Sequence, residues 1–248
     1  MNKRGKLPFF LVLSGTLGDI YMTYSTVNIE ASGTDGLRRE LKTSFLIYAS
    51  SCGVGLLVAL LCPSVSEAWM SLLVGKIISD PWSSPLAAAV KIRSPFLVGL
   101  WIFLLNFPLG SVLRFFVSGI LFYVLPMFFA VTTGFGFGLL VGAPTYTKMS
   151  TNIPPVGLAF FLLYLAFESS AYIVACAIGY RVGRESQKGL SGKALLKTAL
   201  IAPLHLKEEH RRLTLRKELK ASVPWLTLCG VLTALNAIFE TAFIILFG

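Results

Sequence analysis

The sequence predicts an all-α, polytopic membrane protein with about five transmembrane helices and an amphipathic helix lying in the interface. Three observations predict it. Hydrophobic residues make up 55% of the 248-residue chain and charged residues 14%, against about 25% charged in soluble domains. Mean hydropathy is +0.74. The charges are also segregated into stretches between apolar runs long enough to cross hydrocarbon. The formal net charge of +10 fits basic loops facing anionic headgroups. Nucleic acid is not expected as a partner, because no binding motif accompanies the charge and the aromatics fall inside apolar runs. The expected partners are the lipid bilayer and other membrane subunits, or further copies of the chain.

The chain begins with a basic start and a short apolar run, Leu7 to Leu17, like the first two parts of a signal peptide. Asp19 cuts the run short and no small-residue cleavage site follows. It reads as a retained interfacial or buried helix, a sixth span being the alternative. Asn28 to Lys42 is a polar connector carrying Arg38, Arg39 and Lys42. The first span is 44–62, closed by Pro63, with Gly53 and Gly55 on a smooth packing face. Between Ser64 and Ser94, Trp69, Leu72, Leu73, Ile77 and Ile78 suit one face of an interfacial helix, with Trp69 at headgroup depth and Lys76 and Asp80 elsewhere. Pro81 and Pro85 end it.

The second span is 95–113, holding Asn106 and Pro108, and Arg114 follows it. The third is 115–139, ending in a Gly-rich run with Gly134, Gly136 and Gly138 and a turn at membrane level. That run has no preceding strand and no GK[ST], so close helix approach explains it better than nucleotide binding. The fourth span, 155–180, contains Glu168 and leads through Gly179 and Gly183 into a basic cytoplasmic segment, 181–220. Arg181, Arg184, Arg211, Arg212, Arg216 and Lys217 mark that segment. The fifth span, 223–247, carries Asn236 and Glu240. With the N-terminus cytoplasmic and the C-terminus outside, eighteen basic residues fall inside and four outside (Lys76, Lys91, Arg93 and Lys148).

The candidate site residues are the polar groups at membrane depth: Asn106, Arg114, Glu168, Asn236 and Glu240. An ionised carboxylate at mid-bilayer costs roughly 2.5 kcal/mol or more, so Glu168 needs compensation. Three roles follow, in order of preference. The carboxyl, protonated or hydrogen-bonded, fastens helices together; it contacts a ligand or partner; or it lies on an ion path. The depths of Glu168 and Glu240 need not match, so no carboxylate pair is assumed. Catalysis has little support. The sequence has no HExxH, no GxSxG, no intramembrane aspartate pair and no Walker motif. His205 and His210 suit a solvated helix better than a metal site. Cys52, Cys62, Cys176 and Cys229 lack metal-site spacing and read as small hydrophobes. No metal or cofactor is expected.

One pattern extends over residues 40–248: FLLNFPLGSVLRFFVSG, a Gly-rich run, FExxA leading into AxxxGYRVG, and AIFETAFI in the last span. It resembles the stage II sporulation protein M family of integral membrane proteins. The resemblance implies a helical membrane core and a non-catalytic subunit that anchors a larger complex. It places the family's glutamates at Glu168 and Glu240, its asparagine at Asn106 and its glycines at Gly179 and Gly183. The family's His-Gly pair before the first glutamate is replaced here by Tyr164 and Leu165.

Overall fold

The computed structural model describes residues 32–79, 84–144, 153–187 and 209–247. Leu7–Leu17, Asp80, Pro81, Lys148, His205 and most of the segment between the last two spans lie outside the described residues, as do the side chains of Lys76, His210, Arg211 and Arg212. Among the described residues every element is helical: α1 (Ser32–Leu61), α2 (Pro63–Ser79), α3 (Ser84–Lys91), α4 (Pro95–Leu104), a wide-turned π segment (Leu105–Val117), α5 (Ser118–Leu121), α6 (Leu125–Gly142), α7 (Pro155–Ser186) and α8 (Glu209–Phe247). Five stretches are long and apolar enough to span a bilayer: Leu37–Leu61, Pro95–Leu121, Leu125–Gly142, Pro155–Ser186 and Leu213–Phe247.

Large apolar side chains face outward in a way no soluble surface would favour. Leu61 is 79% exposed and Phe96 76%. Small and polar side chains take the interior instead, Ser44, Ala175, Cys176, Thr233 and Asn236 among them. Lipid removes any penalty for exposing leucine and leaves close packing and hydrogen bonding to hold helices together.

The glycines perform that packing. In α6, a Cβ on Gly134 or Gly138 would strike the backbone of α1 at Tyr48 or Cys52, and one on Gly142 would strike Ala59. Gly55 of α1 meets the Phe135 carbonyl in return. The matched order of these contacts makes α1 and α6 parallel, so the first and third spans are neighbours although the second separates them in sequence. A second seam joins α5 to α7: Gly119 lies on the Gly179 backbone, Gly179 on Phe115 and Gly183 on Gly119. Helices α7 and α8 run antiparallel along an aromatic ladder, with Phe160 beside Phe247, Phe161 beside Phe243 and Phe167 stacked on Phe239 at 5.5 Å.

The structure moves several expected boundaries. The polar connector carrying Arg38, Arg39 and Lys42 is already helical, within α1. The second span runs on past Arg114 to Leu121, and the turn falls at 122–124, where Phe122 adopts extended backbone (φ −151°, ψ 107°). Arg114 sits inside this span because aromatic rings and Thr132 accommodate its guanidinium. The third span is therefore α6, not 115–139. Arg181 and Arg184 belong to the last turns of α7, not to a loop. At about 1.5 Å per residue, α7 and α8 both exceed a hydrocarbon core of about 30 Å. Their charged ends extend past it as helix.

One packing expectation changes as well. A Cβ placed on Gly53 would meet nothing within 4 Å, so this glycine faces open space on the outer side of α1. In α2 the Trp69 ring lies against Gly136 of α6.

These contacts predict opposite outcomes for two glycines. Gly138→Ala should destabilise the fold by about 2 kcal/mol or more, since its methyl meets backbone that cannot rotate away. Gly53→Ala should be neutral or stabilise α1 by up to about 1 kcal/mol. Unfolding in mixed micelles measures both.

Candidate functional site

The site is built on the middle of α7. Glu168 and Tyr172 are four residues apart and share one helix face. The Tyr172 hydroxyl stands 2.9 Å from Glu168 Oε1 and 3.1 Å from Asn106 Oδ1 of the π segment. Its ring stacks on Phe115 with centroids 5.3 Å apart and lies against Gly110, where a Cβ would come 3.0 Å from Tyr172 Cε1. Tyr172 is buried, while Glu168 and Asn106 are half-buried.

The π segment explains how Asn106 reaches this position. Pro108 has no N–H, and its ring clashes with the carbonyl four residues back in a regular helix. The wider i→i+5 winding runs from Leu105 to Val117 and places Asn106, Gly110 and Phe115 around the Tyr172 ring. The seam at Gly119, Gly179 and Gly183 brings the two backbones close enough for these contacts.

Two more helices reach the cluster. From α1, the Tyr48 hydroxyl lies 3.2 Å from Ser169 Oγ, next to Glu168. From α8, the Asn236 Nδ2–H donates to Glu240 Oε2 at 3.4 Å. Asn236 is wholly buried and its Oδ1 has no hydrogen-bond partner. Glu240, Glu168 and Tyr48 all act electrostatically on Tyr172, and Glu168 acts on Glu240. The fold therefore brings both glutamates into one polar neighbourhood.

Arg114 is turned to α6. Its guanidinium lies 5.0 Å from the Phe129 centroid and 5.7 Å from that of Phe115, and Nη2 is 3.4 Å from Thr132 Oγ1. Cation–π contact and a hydroxyl thus hold it, and its influence on the cluster is a longer-range one through Tyr172.

A second polar layer ties the helix ends together on the side where α7 finishes. Arg184 Nη1 is 2.7 Å from Glu40 Oε1 of α1, and its Nη2 is 3.1 Å from Glu185 Oε1. Arg181 Nε is 3.1 Å from Glu218 Oε2 of α8. Gln187 Nε2 donates to the carbonyls of Ile120 and Leu121 at 3.0 and 3.1 Å, which the end of α5 leaves without intrahelical donors. Arg181 and Arg184 are thus partly consumed in ion pairs, whereas Arg216 and Lys217 are exposed.

Sequence reasoning missed Tyr48, Ser169, Tyr172, Glu40, Glu218 and Gln187. Tyr172 carried a usable signal, its four-residue spacing from Glu168. Tyr48 and Glu40 carried none, because only the tertiary fold sets α1 beside α7. The cysteines are free, with Cys176 Sγ 3.7 Å from Met127 Sδ and Cys229 donating to the Ala171 carbonyl. Among the described residues no group of three or more His, Cys, Asp or Glu gathers as a metal site would require.

The arrangement defines a multi-pass helical membrane protein with a polar cluster at the junction of α7, the π segment and α8. No protein-family model, curated protein or solved structure matches the chain.

Tyr172→Phe should cost about 1 kcal/mol, in the range of interhelical hydrogen bonds measured in membrane proteins. Combined with Asn106→Ala, the loss should be less than additive, because both changes remove the same link. A double-mutant cycle by micellar unfolding reads the coupling.

Proposed function

We propose that the chain is a non-catalytic integral membrane scaffold or accessory subunit, similar in kind to the stage II sporulation protein M family, and that it works within a larger membrane complex. The observation that supports this most is the use made of Glu168. Its carboxyl is bonded through Tyr172 to a second helix, as a fastening residue would be. The ion pairs from Arg181 and Arg184 to α8 and α1 add a rigid platform at the helix ends. In this reading the N-terminus and that platform face the cytoplasm of a cell membrane and the C-terminus faces outward, in keeping with the basic residues near α7 and α8.

The packing glycines inform where partners would bind. Gly55, Gly134, Gly138, Gly179 and Gly183 are occupied by helices of the same chain. The outer face of α1 around Gly53, with Leu46, Leu57 and Leu60 exposed, is left for a neighbour.

A second reading is a transport-associated subunit with Glu168 and Glu240 in a polar intramembrane site. The unpaired Asn236 Oδ1 beside Glu240 favours it. Native mass spectrometry from the protein's own membrane separates the two. The scaffold reading expects a defined assembly larger than one chain, weakened by Gly53→Leu with no loss of thermal stability. A chain that is monomeric in those membranes overturns it. Full assembly of Glu168→Gln with loss of ion-dependent uptake would favour the transport reading.

A further inference from the structure

We propose that Glu168, Tyr172 and Asn106, with Asn236 and Glu240 beside them, form a site that binds an exchangeable proton within the membrane domain. This goes beyond the scaffold role and does not depend on it.

Hydrogens are short at the Tyr172 hydroxyl. It lies within bonding distance of two acceptors, Glu168 Oε1 at 2.9 Å and Asn106 Oδ1 at 3.1 Å, and a phenol has one hydrogen to give. A proton on Glu168 completes the set. The carboxyl then donates to Tyr172 Oη, and Tyr172 donates onward to Asn106 Oδ1. When that proton leaves, the same heavy atoms can stay in place if the Asn106 amide turns over. Its NH₂ then donates to Tyr172 Oη, and the hydroxyl donates to the Glu168 carboxylate. The oxygen and nitrogen positions of an amide are interchangeable in shape. The cluster therefore has two arrangements that satisfy the Tyr172 hydroxyl and differ by one proton and one amide turn.

Asn236 provides an independent observation. It is wholly buried, its Oδ1 has no partner, and its Nδ2 is at a long 3.4 Å from Glu240 Oε2. An acceptor without a hydrogen thus lies beside the second carboxyl. A buried unpaired polar atom is destabilising, and a donor arriving at this position would relieve that cost.

The charges facing the cluster leave the proton as the ligand. Tyr48 approaches from α1, Arg114 from the π segment, Glu168 and Tyr172 from α7, and Glu240 from α8. Arg114 is the one cation in this set of described residues, and it is bonded to Thr132 and stacked on Phe129 and Phe115. Neither carboxyl has it as a direct partner. No bond other than O–H is made or broken, and the proton exchanges with water.

Infrared difference spectroscopy on the full chain in nanodiscs, scanned over pH with ¹³C-labelled asparagine, tests this. The expected result is a protonated-carboxyl C=O band that shifts in D₂O and disappears on raising pH, accompanied in the same titration by a change in the labelled amide C=O band. Glu168→Gln should remove that carboxyl band and hold the amide band in its low-pH form, because the Gln NH₂ replaces the carboxyl O–H as donor. A titrating band with no change at the asparagine label overturns the proposal, as does a band unaltered by Glu168→Gln. If that variant fails to fold, the wild-type protein with labelled asparagine decides the matter by itself.

Discussion

The close backbone approach at Gly119, Gly179 and Gly183 is the contact on which this bundle's polar chemistry rests. Each of these glycines lies where a Cβ would meet main-chain atoms of the opposite helix. The π segment and α7 can therefore come near enough for the Tyr172 ring to stack on Phe115 and for its hydroxyl to reach Asn106. Without that proximity Glu168 would lack its link to another helix. Its burial would then carry the cost of an uncompensated polar group in hydrocarbon.

The same seam couples the two ends of the polar system. Gln187, just beyond α7, holds the carbonyls that close α5. Arg184, one turn earlier, reaches Glu40 on α1. Helix α7 thus contacts three of the other four spans through different combinations: glycine packing and hydrogen bonds to the second span, hydroxyls and an ion pair to α1, and an aromatic ladder and an ion pair to α8. It is the hub of the bundle, and its burial exceeds that of the other spans. A glutamate in the middle of the hub is held on more sides than one at the periphery would be.

How much could be read in advance varied with the kind of feature. Span existence was legible, because lipid demands about 20 apolar residues per crossing and the runs are unmistakable. Boundaries were less so. A lone Arg114 suggested a loop, yet two aromatic rings and a threonine keep it inside a helix. Glycine clusters marked packing faces, but Gly53 and Gly55, two residues apart, point to opposite fates, since a helix turns about 200° over that interval.

The sequence by itself determined that this protein lives in a bilayer as a set of helices, and that Glu168, Glu240, Asn106 and Asn236 would need partners there. Those conclusions follow from local composition, which hydrocarbon tests residue by residue. Tertiary structure alone decided who the partners are. The parallel pairing of α1 with α6, the reach of Tyr172 to Asn106 and the meeting of Arg184 with Glu40 join residues far apart in the chain. Backbone approach and helix rotation set those meetings, and both depend on all the helices at once.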